Sequence, residues 1–157
     1  MATTTGSFKL YDSFLEYVAD GTIDLDSDTF KVTLHTSSYG ALDTTHLSDD
    51  SVYADVTNEL STANGYTNGG ETLTSVTWIR SGATTTLDCA DPTWTISGGS
   101  VVARYFIIRK SGTANSITDP LVGVGYLDSS PADVTTTTGN TLTITINAAG
   151  LLTFTKA

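Results

Sequence analysis

Three aspartates alternate at Asp24, Asp26 and Asp28, a spacing with which carboxylates can converge on a hard cation such as Ca²⁺. The start resembles an EF-hand loop, but its sixth position is Thr29 where glycine is needed, and its twelfth is His35 where glutamate is needed. An EF-hand is thereby excluded. What remains is either a Ca²⁺ site of another geometry or a polar turn whose Asp side chains bond nearby amides. A second acidic knot, His46-Leu47-Ser48-Asp49-Asp50-Ser51, contains the residue types of a Ser-His-Asp triad. A triad is a spatial relation that adjacency in sequence does not supply, and no Gly-x-Ser-x-Gly elbow occurs. An Asp-rich loop or a helical turn capped by Ser48 is the simpler reading. Cys89 shares a strand face with Leu87 and reads as a small buried hydrophobe. Only His35 and His46 could serve it as a base. Trp78 and Trp94 fit their strand patterns as core residues, with a sugar-binding platform as the alternative. No catalytic residues and no cofactor beyond Ca²⁺ are expected, so the chain reads as a binding or building protein and not as an enzyme.

Composition narrows the classes further. The 157 residues fit one domain. With 7 Lys+Arg against 17 Asp+Glu, the net charge of −10 argues against holding nucleic acid by phosphate neutralisation and against docking on an anionic membrane. The acidity is local: residues 12 to 55 carry ten acids and one base, Lys31, leaving seven acids and six bases elsewhere. One cysteine allows no internal disulfide framework. No apolar run is long enough to span a membrane, and the first residues lack a signal-peptide pattern. A soluble protein made in a reducing cytoplasm is expected. Thr occurs 31 times and Ser 16 times, which suits the half-exposed faces of β-strands, where β-branched residues pack well.

The elements that must position these residues are mostly strands. Tyr11, Phe14, Leu15 and Val18 fall at i, i+3, i+4 and i+7, one face of a short helix over about residues 9–19, with Gly21 as its C-cap. Residues 1–7 read as a flexible tail ahead of a single domain over 8–157. Phe30, Val32 and Leu34 alternate with polar residues as a half-buried strand, and residues 56–60 suggest a weaker one. Residues 71–80 suggest a strand with a bulge near Leu73. Residues 101–110 read as a central strand buried on both faces. Residues 121–127, 141–146 and 151–154 complete the set, separated by turn signals such as Asn64-Gly65 and Asn68-Gly69-Gly70. About eight to ten short strands at this spacing predict a mainly-β, antiparallel β-sandwich with one short N-terminal α-helix.

Several segments, in order, carry a resemblance. After the aromatic-rich helix come Asp20-Gly21-Thr22-Ile23-Asp24-Leu25-Asp26 and residues 29–39, Thr-Phe-Lys-Val-Thr-Leu-His-Thr-Ser-Ser-Tyr. Asp55-Val56-Thr57-Asn58-Glu59-Leu60 and Gly65-Tyr66-Thr67-Asn68-Gly69-Gly70 follow. Later come Ala103-Arg104-Tyr105-Phe106-Ile107-Ile108, Pro120-Leu121-Val122-Gly123 with Tyr126-Leu127-Asp128, and Ala148-Ala149-Gly150-Leu151-Leu152-Thr153-Phe154. This ordered set, from about Phe8 to Phe154, resembles a family of small structural proteins found in virions of tailed bacteriophages. The resemblance implies a virion component, made in the host bacterial cytoplasm, with the major capsid protein or other virion proteins as partners. A capsid decoration (cement) protein is the leading expectation, acting as a homo-oligomer such as a trimer. A neck, tail or fibre-attachment component is the alternative, and a host-glycan-binding module using Trp78 or Trp94 is a third. The family offers no catalytic residues to carry over.

Overall fold

A computed structural model describes residues 2–4, 8–40 and 44–156. Strands β1 (Ala2–Thr4) and β2 (Phe8–Leu10) precede helix α1 (Phe14–Ala19). Strand β3 (Phe30–His35) and helix α2 (Thr44–Asp49) follow. The middle of the chain is β4 (Glu71–Thr72), β5 (Thr77–Ser81), β6 (Thr84–Asp88), β7 (Thr93–Thr95), β8 (Ser100–Ala103) and β9 (Tyr105–Lys110). The remainder is β10 (Thr113–Ala114), β11 (Ile117–Thr118), β12 (Leu121–Tyr126), β13 (Val134–Thr137), β14 (Thr141–Thr145) and β15 (Leu152–Thr155). The architecture is mainly β and sandwich-like, as the alternation predicts.

The frame is a five-stranded antiparallel sheet in the order β2-β12-β9-β3-β4. Smaller sheets face it: β1-β14-β7, β15-β6-β5 and β13-β8. One face of the large sheet supplies Phe30, Val32, Leu34, Phe106, Ile108 and Val122 to a core completed by Leu87, Trp94, Ile96, Val101, Leu142 and Ile144. Its other face carries Tyr105, Ile107, Leu121 and Val124, covered by Tyr11, Tyr39 and, from α2 and the loop after it, Leu47 and Tyr53. β9 is buried along its whole length, as expected of a central strand. β3 differs from its half-buried reading: Thr33 and His35 are buried as well, because a second layer lies over their face.

Several boundaries depart from the sequence pattern for visible reasons. The helix expected over 9–19 starts only at Phe14, since Phe8–Leu10 pairs with Gly123–Gly125 as an edge strand and Tyr11 N–H extends that ladder to the Val122 carbonyl. Tyr11 and Phe14 therefore enter different cores, and Leu15 is left 57% exposed. Within the expected tail over 1–7, Ala2–Thr4 pairs in parallel with Thr143–Thr145, the one parallel ladder among the described strands. Residues 5–7 lie outside the described residues. A second helix, α2, occupies the acidic knot. Residues 101–110 divide at Arg104, where the chain passes from the β13-β8 pair to the central sheet. Residues 56–60 make only a single bridge, between His35 and Glu59. Residues 71–80 break into β4 and β5 around Ser75, which sits at φ +53°. A bulge between Leu121 and Gly123 breaks the alternation, so Leu121 and Val124 share one core while Val122 enters the other.

Candidate functional site

The Asp24–Asp28 segment follows α1 directly. Gly21 at φ +78° turns the chain, and Ile23 N–H returns to the Tyr17 carbonyl. The carboxylates then close their own turn. Asp24 Oδ1 accepts from Asp26 N–H at 3.0 Å, Asp24 Oδ2 accepts from Ser27 Oγ at 2.7 Å, and Asp28 Oδ2 accepts from Asp24 N–H at 2.8 Å. The Ser27 hydroxyl and then the Asp26 amide hold the Asp24 carboxyl below its ordinary pKa. Asp28 Oδ1 also faces Lys110 Nζ at 3.6 Å. Among the described residues no group of three His, Cys, Asp or Glu side chains converges as a cation site would. The arrangement is that of a polar turn tied to β9.

The acidic knot is a hydrogen-bond chain over the second core. Asp50 Oδ2 accepts from Tyr39 Oη at 2.6 Å and lies 3.0 Å from His46 Nδ1, while Tyr39 Oη meets Tyr11 Oη at 2.8 Å. Burial, above all, raises both tyrosine pKa values, so the hydroxyls stay protonated and bridge Asp50 to Tyr11. Ser48, inside α2 and not at its cap, gives its hydroxyl to the Thr45 carbonyl and the Asp49 carboxylate. Ser51 is tied to Asp55. The serines thus point away from the His46–Asp50 pair, and the residue types of a triad do not assemble into one.

His35 meets the same tyrosine, its tilted ring centred 5.4 Å from that of Tyr39, with the His46 ring at 4.6 Å. Its Nδ1 must donate to the Thr57 carbonyl at 3.0 Å, so neutral Nε2 accepts from Thr33 Oγ1 at 2.8 Å. Desolvation lowers its pKa. Cys89 packs against the first core, apart from the two histidines of the second. Burial, then Asp88 and Asp91, push its thiol up to about 12, which leaves it a poor nucleophile at neutral pH.

A polar hub that sequence reasoning missed centres on Glu59. Its Oε1 accepts from Tyr66 Oη at 2.6 Å and Gly69 N–H at 2.7 Å, and its Oε2 accepts from Tyr53 Oη. The Tyr53 ring lies under the Arg109 guanidinium, 4.0 Å from its centroid, and Arg109 also pairs with Asp119 at 2.9 Å. Tyrosines dispersed among acids were the available signal, since a buried phenol needs a polar partner.

The two tryptophans part company. Trp94 is 2% exposed and packs on Tyr66, so its face is closed to a sugar. Trp78, on the edge strand β5, is half-buried against Phe154 in an edge-on contact. With Val18, Gly21, Ile23, Asp24 and Leu25 it lines an open surface hollow of about 290 Å³. Trp78 and Asp24, candidates from separate parts of the sequence, thus meet at one surface hollow. Compared with known protein families, with curated proteins and with solved structures, the chain matches none.

Proposed function

We propose that this protein is a structural component of a tailed-bacteriophage virion, acting as a capsid decoration protein that binds the major capsid lattice. The reading rests on the ordered set of segments similar to that virion family. One observation about them carries it: the quoted residues are the frame of the fold. Phe30–His35 and Tyr105–Ile108 are the paired central strands, and Leu121–Gly123 pairs beside them. Tyr66 Oη accepts from Leu34 N–H, and Gly70 lets its loop press against the Val32 carbonyl. A likeness spread over such positions concerns a whole fold and not one loop.

The surface suits assembly. Threonine-rich strands present hydroxyls without strong charge, and the exposed acids concentrate in residues 12 to 55. Repetition on a lattice lets a modest interface hold through many simultaneous contacts. Quantitative mass spectrometry of purified particles tests the proposal. Lattice decoration requires on the order of hundreds of copies per particle, whereas a neck or tail ring of closed symmetry requires about a dozen. The low number would replace decoration with the neck or tail reading, and absence of the chain from particles would reject both.

A further inference from the structure

The sheet β15-β6-β5 ends at β5, whose outer side has no strand partner among the described residues. Its hairpin with β6 closes through Gly82-Ala83, with Gly82 at φ +61°, the glycine-first pattern of a two-residue type II′ turn. Such a turn makes Ser81–Thr84 a hydrogen-bonded pair. By alternation Ile79 and Thr77 also bond inward to β6. The backbone groups of Trp78 and Arg80 therefore face outward, without a backbone partner among the described residues.

Natural sheet edges are usually guarded by charge, proline, shortness or a covering loop. The β2 edge has Lys9, β4 spans only two residues, and Asn64 Nδ2 caps β8 at the Ser100 carbonyl. β5 has five residues and no proline, and it exposes Ile79 at 61%. Its only charge, Arg80, makes no ion pair among the described residues.

We propose that β5 pairs antiparallel with β5 of a second copy about a two-fold axis at Ile79. The sequence Thr77-Trp78-Ile79-Arg80-Ser81 is self-complementary in this register. Trp78 of each copy stands opposite Arg80 of the other, and these are the residues whose backbone groups face outward, so the strand phase fits. Trp78 and Arg80 share the face that carries the hollow lined by Trp78 and Asp24. Arg80 of the second copy is thus set over an indole face and beside a carboxylate, a cation–π and charge match made twice. On the other face the two Ile79 side chains meet as a non-hydrogen-bonded pair, the closer kind. Two three-stranded sheets become one of six strands. This pairing stands independently of the virion reading.

Sedimentation of the full chain near physiological salt, where the repulsion between two acidic copies is screened, tests the pairing. A reversible dimer with a dissociation constant on the order of micromolar is expected for an interface of this small size. Ile79→Lys places two like charges on the axis and weakens the dimer by at least about tenfold. Its circular dichroism stays that of the parent, as does its Tm at dilutions where both are monomeric, because the side chain is exposed. In a Cys89→Ser background, Ile79→Cys oxidises to a disulfide-linked dimer, while Val102→Cys, at another exposed apolar strand position, stays monomeric. A parent that remains monomeric to about a millimolar, a trimer, or a dimer indifferent to Ile79→Lys overturns the proposal.

Discussion

His35 shows how a residue that looks like chemistry is turned to structure. Its ring is enclosed, one nitrogen committed to the Thr57 carbonyl and the other to Thr33 Oγ1, and desolvation depresses its pKa below the ordinary value of about 6.5. A depressed folded value means that the unfolded chain binds the extra proton more readily. The stability from neutral His35 is complete above about pH 6.5 and is lost as pH falls toward the folded value. Tm should decline as pH falls through and below about 6.5, and the His35 resonances should titrate below 6.5 by NMR. A midpoint at or above that value contradicts the enclosed-ring account. The carboxyl of Asp55, lowered first by the Ser51 amide, acts in a separate window, with its contribution present above about pH 4 and lost below. At Asp24, Asp26 and Asp28 the turn account predicts that calcium leaves Tm unchanged. A calcium-dependent rise would show that the carboxylates prefer a cation to their own amides.

At the scale of elements, legibility followed burial. Leu142 and Ile144 alternate cleanly with exposed or half-exposed threonines and form β14 as read, and the Asn64-Gly65 signal is a tight turn with both residues at positive φ. The helix boundary failed because Phe8 and Leu10 satisfy a helical and an extended pattern alike. The empty faces of Gly123 and Gly125, where a Cβ would lie 2.5 Å from the Phe8 and Phe106 rings, decide for the strand. The Glu59 hub and the Tyr11–Tyr39–Asp50 chain were illegible because irregular segments, which carry no apolar periodicity, bring their members together. Of the two tryptophans only Trp78 is left partly exposed, beside Asp24 from another segment. Two substitutions test this level. Gly70 lies at φ +71° and a Cβ there would sit 2.0 Å from the Val32 carbonyl oxygen, so Gly70→Ala should cost about 3 kcal/mol or more in urea unfolding. Gly139, at φ +85° with open space around it, should lose only about 1 kcal/mol on the same change. Trp94→Ala should cost about 3–5 kcal/mol by opening a core cavity, so its loss would report on folding before it reported on any ligand.

At the scale of the molecule, a large sheet buried on both faces supports a rim of smaller sheets, and the charge lies on the α1–α2 side of the sequence. Such a body offers neutral hydroxyl-bearing strands, an exposed strand edge at β5 and an acidic region for neighbours to read. Attachment driven by the acidic region should weaken as salt rises, because exposed charges are screened beyond about 10 Å at 0.1 M. Binding of the chain to capsids stripped of it, measured across a salt series, checks that expectation. For the proposed virion role, the most direct measurement is a density map of an intact particle from a tailed phage whose genome carries this sequence. The account predicts this fold seated repeatedly on the outer face of the capsid lattice. A lattice without it, with the chain found elsewhere or nowhere in the particle, would contradict the decoration role.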